Sequence, residues 1–493
     1  ALAKRGNIYL TDYSQSSKVL AAANKTINIL YSNNKQLSSD ISSIAEKLSG
    51  IVPIDKAKIE LKLSETGKSY QVISRDVTSQ EADNIKKLNI RGITVASQIE
   101  RTYPMDDLVS HILGFVGFSG EERAGQYGVE AFYNTTLGGG EIQGKDLILT
   151  IDLNIQETIA AKLSETLKKL DSPSGTIIVQ EPKTGNILAM VSSPSFDPNN
   201  YWASDYITYI NPAVQEVYEP GSSFKPVTMA GAIDQGVITP ETTYTDSGQV
   251  VIADRTIKNF DEKAHGVKTM REVLQMSLNT GVVFVEDKMG DDTFLNNVVA
   301  FGFGSKTGID LSGEVGGNIS QLFNNRKINF ATASFGQGIA VTPIQLINAY
   351  SVIANGGKLM KPNIVSKIID GDSSEKIEPK IIGAPINEKT AKTIQSMLTD
   401  VVDKGFDKAR IKGYDIAGKT GTAQIPDESG GYMGQDRFIH NFVGFAPSYN
   451  ARFVVLIKVD QPKGIKFAAD SLSPVFGDIA KYLIRYFNIP PTR

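Results

Sequence analysis

Ile41, Ile44, Ala45 and Leu48 recur at the i, i+3, i+4, i+7 spacing of one helix face, within a first hundred residues otherwise rich in Asn, Ser and Lys. This part of the chain reads as a modest non-catalytic domain. A Gly-rich break at 137–140 is followed by an apolar strand at 147–151, and Asp152 then stands where a helix N-cap belongs. Behind it Ile155, Ile159, Leu163, Leu167 and Leu170 form one apolar stripe, a packing face to which no chemistry is assigned. Residues 176–181 and 186–191, joined by a turn at 182–185, predict a β-hairpin. A helical pattern runs over 221–236, where Gly236 can cap it, and helices and loops extend to about 357. A further helix is expected near 389–402, strands at 416–425, 438–445 and 453–459, and a closing helix at 474–486. Strands first, helices in the middle and strands last predict an α+β domain whose sheet is completed by both ends of the segment.

At 493 residues the length suits about three domain-sized units of roughly 150 residues. With 41% hydrophobic and 21% charged residues, a folded globular chain is expected. The net charge of −3, without a long basic block, argues against a nucleic-acid partner. Cysteine is absent, which removes disulfides, thiolate metal sites and a cysteine nucleophile together. The three histidines, His111, His265 and His440, have no HxxxH or HExxH spacing, so neither a metal nor another cofactor is expected. Covalent chemistry would then fall to Ser, Thr, Lys, Tyr or a carboxylate, with lysine a candidate base. No stretch approaches the ~18 apolar residues of a membrane span. Because the first residue is Ala1 rather than Met, an upstream anchor or signal is expected to have been removed.

Three short motifs carry the chemistry. Ser222 and Lys225 in Ser222-Ser223-Phe224-Lys225 stand one turn apart on a helix face, which suits a serine nucleophile with a lysine base. A helix start also turns backbone N–H groups outward, ready for a developing oxyanion. Ser277-Leu278-Asn279 interrupts an apolar helical pattern, and Lys419-Thr420-Gly421-Thr422 lies on the expected strand 416–425. Each motif is weak alone: Ser-x-x-Lys recurs at 32–35 and 373–376, Ser-x-Asn at 32–34 and 448–450, and Lys-Thr-Gly at 183–185 and 306–308. Only Ser222, Ser277 and Lys419 combine the order, the spacing and the helix and strand contexts.

That triple resembles the active site of penicillin-recognising serine enzymes, in which Ser-x-x-Lys, Ser-x-Asn and Lys-Thr-Gly converge on one pocket. Further segments, including Glu181-Pro182-Lys183-Thr184-Gly185, Tyr218-Glu219-Pro220-Gly221, Thr307-Gly308-Ile309-Asp310-Leu311, Gly336-Gln337-Gly338 and Phe442-Val443-Gly444-Phe445, are similar to class B penicillin-binding proteins, with a lean towards the division type. Arg5-Gly6-x-Ile8, Arg101-x-Tyr103-Pro104 and Tyr127-Gly128-Val129-Glu130 resemble that family's pedestal domain, although the Asp-Arg-Asn-Gly expected soon after Arg5-Gly6 is missing. The resemblance implies a smaller, elongated α+β pedestal at 1–145. After it, at 146–493, comes a transpeptidase domain with an antiparallel sheet flanked by helices.

The same resemblance implies a peptidoglycan D,D-transpeptidase that β-lactams trap as an acyl-enzyme. Ser222 is the implied nucleophile, and Lys225 must be neutral to act as its base. Lowering a lysine from about 10.4 to about 7 takes ~4.6 kcal/mol of bias against the charged form, which burial and the cation of Lys419 would supply. Ser277 and Asn279 are expected to bridge Lys225 and the leaving group, with Ser277 relaying a proton. The N–H groups of Ser222 and Thr422 form the expected oxyanion hole. Lys419, Thr420 and Thr422 would hold the substrate carboxylate, and Gly421 would let the strand approach the ligand closely. Peptidoglycan stem peptides and β-lactams are the implied ligands. The implied partners are a polytopic membrane glycosyltransferase and other division or elongation proteins. The implied place is the outer face of the bacterial cytoplasmic membrane, reached through a single N-terminal anchor.

The rival reading is a β-lactamase or D,D-carboxypeptidase with the same site, in which Glu314 activates water. A non-catalytic β-lactam sensor or scaffold would need a damaged triple, which this chain lacks. Thr66-Gly67-Lys68-Ser69 resembles the end of a P-loop, but Lys62 holds the place of the required glycine, and Gly302-x-Gly304 continues to Thr307 where a dinucleotide fingerprint needs glycine. His440 is read as facing a neighbouring strand, and Tyr201, Trp202 and Tyr206 as either groove-lining or packing residues.

Overall fold

The apolar runs near 176–191 and 438–459 meet in one antiparallel sheet. Its strands are β1 (Ser174–Gln180), β2 (Ile187–Ser193), β3 (Ala417–Gln424), β4 (Phe438–Ala446) and β5 (Phe453–Asp460), hydrogen-bonded in the order β3-β4-β5-β1-β2. Every strand but the edges is buried on both faces, which is why 453–460 reads as a continuous apolar run rather than an alternating one. The computed structural model describes residues 4–37, 40–65, 69–120, 122–138, 143–425 and 437–493. The P-loop-like residues 66–68 and the glycines at 139 and 140 lie outside them.

Helices cover the sheet. They include α1 (Leu153–Lys169), α2 (Lys225–Asp234), α3 (Met270–Met276), α4 (Asn279–Met289), α5 (Glu388–Gly405) and α6 (Ala468–Tyr486). Helix α1 starts as its sequence predicts, with the Asp152 carboxylate accepting from Ile155 N, and it buries Ile155, Ile159, Leu163 and Leu167. Helix α6 begins six residues before the expected start at 474 and carries Pro474 in its interior. A proline at that place suggests a first turn. Burial of Ala468, Leu472 and Phe476 along one face, with Phe476 stacked on Phe442 of β4, extends the helix backward past it. The β1–β2 turn is the predicted one, closed by Gly185 N donating to Glu181 O (2.9 Å) with Gly185 at φ +80°.

By packing, the chain divides into two compact units, residues 1–21 with 104–493, and residues 22–103. In the smaller unit, residues 23–32 pair with the strand Ile93–Thr102, and two helices, Ile41–Ser49 and Lys56–Ser64, close a core of Leu30, Ile44, Leu48, Ile59, Ile73 and Ile85. The Ile41 to Leu48 periodicity is therefore a core-facing stripe. In the larger unit, Arg5 is clamped by Glu130: its Nε donates to Glu130 Oε2 (2.6 Å), and its other nitrogens donate to Glu130 O, Asn134 Oδ1 and Gly138 O. Gly6 follows because a Cβ there would lie 1.8 Å from Lys145 O. The Arg-Gly and Tyr-Gly-Val-Glu segments are thus halves of one buried ion pair whose guanidinium makes at least four hydrogen bonds.

Candidate active site

A groove of about 1100 Å³ opens along strand β3, and Ser222, Ser277, Asn279, Lys419, Thr420 and Thr422 all line it. Ser222 sits in a 3₁₀ turn, Gly221–Phe224, that runs straight into α2. Pro226 in the first turn of α2 and a Schellman closure at its end, with Gly236 N donating to Ile233 O and Val237 N to Ala232 O, fix both limits of this helix. Gly221 has φ +59° and donates its N–H to Gly336 O (3.0 Å), while a Cβ on Gly336 would lie 2.2 Å from Gly221 O. Two glycines are needed here because two backbone segments touch.

Lys225 is completely buried and points into a cage made by the Ser277 motif. Its Nζ donates to Ser277 O (2.6 Å) and Asn279 Oδ1 (2.8 Å) and lies 3.3 Å from Ser277 Oγ. Ser277 can turn its carbonyl toward the lysine because it holds a left-handed conformation, φ 56° and ψ 41°, in the break between α3 and α4. This is backbone strain where the groove lining meets Lys225, and the break between the two helices is where the polar pair interrupts the helical pattern. From β3, Lys419 Nζ donates to Ser277 Oγ (2.9 Å) and to Thr420 O (3.2 Å). Ser277 Oγ is therefore the shared atom between two buried lysines.

Both lysines are poor places for a positive charge. Burial pushes Lys225 well below its usual value, and the nearby cation of Lys419 adds to the effect. Burial alone pulls Lys419 down to about 7. A neutral Lys225 has two N–H groups, which match the two oxygens of Ser277 and Asn279, and its lone pair is then left for the Ser222 proton. Its hydrogen bonds go to those oxygens, and none to Ser222 is formed among the described residues.

Gly421 answers to a different demand from the one expected. A Cβ there would lie 2.3 Å from Pro220 O and 2.6 Å from Asn441 Nδ2, so its missing side chain admits the turn that carries Ser222. Asn441, on β4 opposite Gly421, donates to Pro220 O (3.0 Å) and pins that turn to the sheet. Sequence reasoning missed Asn441, although a polar pair inside an apolar strand was its signal. Thr422 Oγ1 accepts from Ala468 N (3.1 Å) at the start of α6, which leaves its hydroxyl proton free to face a ligand.

Other candidates lie elsewhere. The Glu314 carboxylate is buried and accepts from Thr307 N (2.6 Å), Thr307 Oγ1 (2.6 Å) and Gly308 N (3.0 Å), away from the groove lining. His440 is buried against α6 rather than a strand neighbour, with Nδ1 at 2.9 Å from Ser471 Oγ and Nε2 at 3.2 Å from Lys466 O. Burial lowers it to about 4, so it is a neutral structural group. Tyr201 stacks on Phe115 (4.0 Å between centroids), while Trp202 and Tyr206 are exposed, and none of the three lines the groove.

Residues 175–481 match the model of the penicillin-binding protein transpeptidase domain, and residues 1–166 match that of the penicillin-binding protein dimerisation domain. The chain belongs to the penicillin-binding protein family. Stage V sporulation protein D of Bacillus subtilis (strain 168) is 31% identical over 96% of this chain and 78% of its own length. Peptidoglycan D,D-transpeptidase FtsI of Escherichia coli (strain K12) is 30% identical over 89% of this chain and 76% of its own length. Penicillin-binding protein 3 of Mycobacterium tuberculosis, solved in complex with aztreonam, shares the fold with a TM-score of 0.78 at 24% identity, covering 100% of this chain and 98% of that one. The penicillin-binding protein described here is thus of class B, with a dimerisation module before its transpeptidase module. No helix among its described residues is long and apolar enough to cross a membrane.

Proposed function

We propose that the protein is a peptidoglycan D,D-transpeptidase of the division type that cross-links stem peptides through an acyl-ester on Ser222. The observation that carries this reading is the hydrogen-bonded cluster Lys225–Ser277–Asn279–Lys419 in one groove with Ser222. Ser222 Oγ attacks the carbonyl carbon between the two terminal D-alanines, and its proton passes to the lone pair of Lys225. Ser277 Oγ, between the two lysines, relays a proton to the departing amine, so the C–N bond breaks as D-alanine leaves. Backbone N–H groups of Ser222 and Thr422 face the developing oxyanion, and one such donor is typically worth ~3 to 4 kcal/mol. Thr422 O lies 3.0 Å from where a Cβ on Gly221 would stand, so the two backbones are adjacent. Lys419 with Thr420 and Thr422 receives the terminal carboxylate, and an anion there draws Lys419 into its charged form. An amine of a second stem peptide then takes the acyl group.

β-Lactams bind as mimics of the same substrate, in keeping with the aztreonam complex of the related protein. We divide the chain functionally into a pedestal at 1–145 and a transpeptidase domain at 146–493. We place it at the outer face of the cytoplasmic membrane, held by an N-terminal anchor and working with a polytopic membrane glycosyltransferase and other division proteins. The hydrolase alternative has no support from Glu314, whose buried carboxylate accepts three hydrogen bonds from Thr307 and Gly308 and does not line the groove. The test is competition for the acyl-enzyme: with a stem-peptide thioester and a D-amino acid, the acyl group should pass to the amine in preference to water. Hydrolysis that ignores added amine would refute a transferase.

A further inference from the structure

Asn279 faces Lys225 with its carbonyl oxygen, and something must prevent the amide from presenting its NH₂ instead. The other end of the amide answers this: Asn279 Nδ2 donates to Lys258 O (2.9 Å), and a carbonyl can only accept. Lys258 O therefore fixes which end of Asn279 meets the base. Lys258 closes a small hairpin, in which Gln249–Ile252 pairs with Arg255–Lys258. The next residues of both segments are locked together, because Asn259 Oδ1 accepts from Thr280 N (3.3 Å).

At the centre of this lock is Asp246, 2% exposed and without an ion-pair partner among the described residues. Its carboxylate accepts from Asn259 Nδ2 at both oxygens (3.0 and 2.9 Å), Thr280 Oγ1 (2.7 Å), Gly248 N (3.0 Å) and His265 N (3.1 Å). The Thr280 hydroxyl also lies 3.2 Å from Asn259 Oδ1 and 3.1 Å from Tyr244 OH. A buried carboxylate holding five hydrogen bonds is costly to assemble and stiff once assembled. It does not line the groove.

We propose that Asp246 is a positioning residue for acylation: by docking Asn259 against Thr280 it sets Lys258 O under the Asn279 amide and so keeps Asn279 Oδ1 on Lys225. The proposal rests on the Ser222 acyl-enzyme reading. In the Asp246→Asn variant one acceptor oxygen becomes a donor. An NH₂ in place of Oδ2 meets Asn259 Nδ2 and His265 N, and one in place of Oδ1 meets Asn259 Nδ2, Thr280 Oγ1 and Gly248 N. In either orientation it opposes the Asn259 amide. Acylation by a penicillin, followed by intact mass and split into initial binding and the covalent step, is the measurement. The covalent step should slow about tenfold or more with initial binding unchanged, whereas in an Asn279→Ala background the same substitution should change it less than about twofold. Equal factors in both backgrounds, or a wild-type rate in Asp246→Asn, overturn the proposal. Thr280→Val, which removes the hydroxyl's contacts to Asp246, Asn259 and Tyr244 but keeps the Thr280 N–H to Asn259 Oδ1, serves if Asp246→Asn does not fold. It should slow the covalent step about threefold and only when Asn279 is present, and a wild-type rate or equal factors there overturn the proposal too. Wild-type protein that takes no penicillin on Ser222 would instead refute the acyl-enzyme reading itself.

Discussion

Lys419 is 1% exposed, and its pKa falls from 10.5 to about 7, so the folded protein disfavours a charge that the unfolded chain holds freely. Replacing it with Met, similar in length and without charge, removes that conflict. For a lysine depressed in the fold, the unfolded state binds more protons between the two pKa values. Its effect on stability is therefore neutral above about 10.5 and becomes a growing penalty as pH falls toward 7. At pH 7 the wild-type penalty is about 4 kcal/mol, against about 2 kcal/mol for the two hydrogen bonds, to Ser277 Oγ and Thr420 O, that Met cannot make. The Lys419→Met variant is then expected to be more stable than wild type at pH 7 by about 2 kcal/mol, and less stable by a similar amount at pH 10.5. For a unit of this size that is about 2 °C in Tm each way, with a reversal of sign in between. Thermal scans of both proteins from pH 6 to 10.5 decide it. A variant destabilised equally at both ends would refute the claim that this lysine is held for function at the expense of stability.

Two further outcomes follow from packing. Gly421→Ala forces a Cβ to 2.3 Å from Pro220 O and must part strand β3 from the Ser222 turn, so penicillin acylation should fall at least ~100-fold with about 1–3 kcal/mol of stability lost. Near-normal acylation would contradict the close approach. Glu314→Gln sets an NH₂ against backbone donors at Thr307 and Gly308, which should cost about 1–3 kcal/mol in denaturant unfolding while leaving the acyl-enzyme lifetime unchanged. A lifetime strongly lengthened by this substitution would restore the hydrolase reading.

What could be read in the sequence was local or strongly patterned. The runs 416–425, 438–445 and 453–459 differ by a residue at most from strands β3, β4 and β5, and 453–459 was the plainest because that strand, buried on both faces, is an almost continuous apolar run. The triple Ser222, Ser277 and Lys419 was legible through order and context, and the structure brings all three into one groove. What escaped depends on contacts distant in sequence. Gly421 signalled a close approach but not to what, since Pro220 and Asn441 meet it only in the folded sheet. Glu314 had the spacing of a catalytic carboxylate, yet its nearest amides at Thr307 and Gly308 claim it locally. His440 alternates with apolar neighbours as a strand residue should, but its partners come from α6 and the residues just before it. Likewise Arg5 and Glu130 appeared as separate pieces, and only their hydrogen bond makes them one feature.

The central claim is that Ser222 becomes covalently acylated. Intact-mass measurement after incubation with a penicillin, on wild type and Ser222→Ala in parallel, tests it most directly. The wild type should gain the mass of one antibiotic molecule per chain and Ser222→Ala none. Labelling that persists in Ser222→Ala, or an unlabelled wild type, would contradict it.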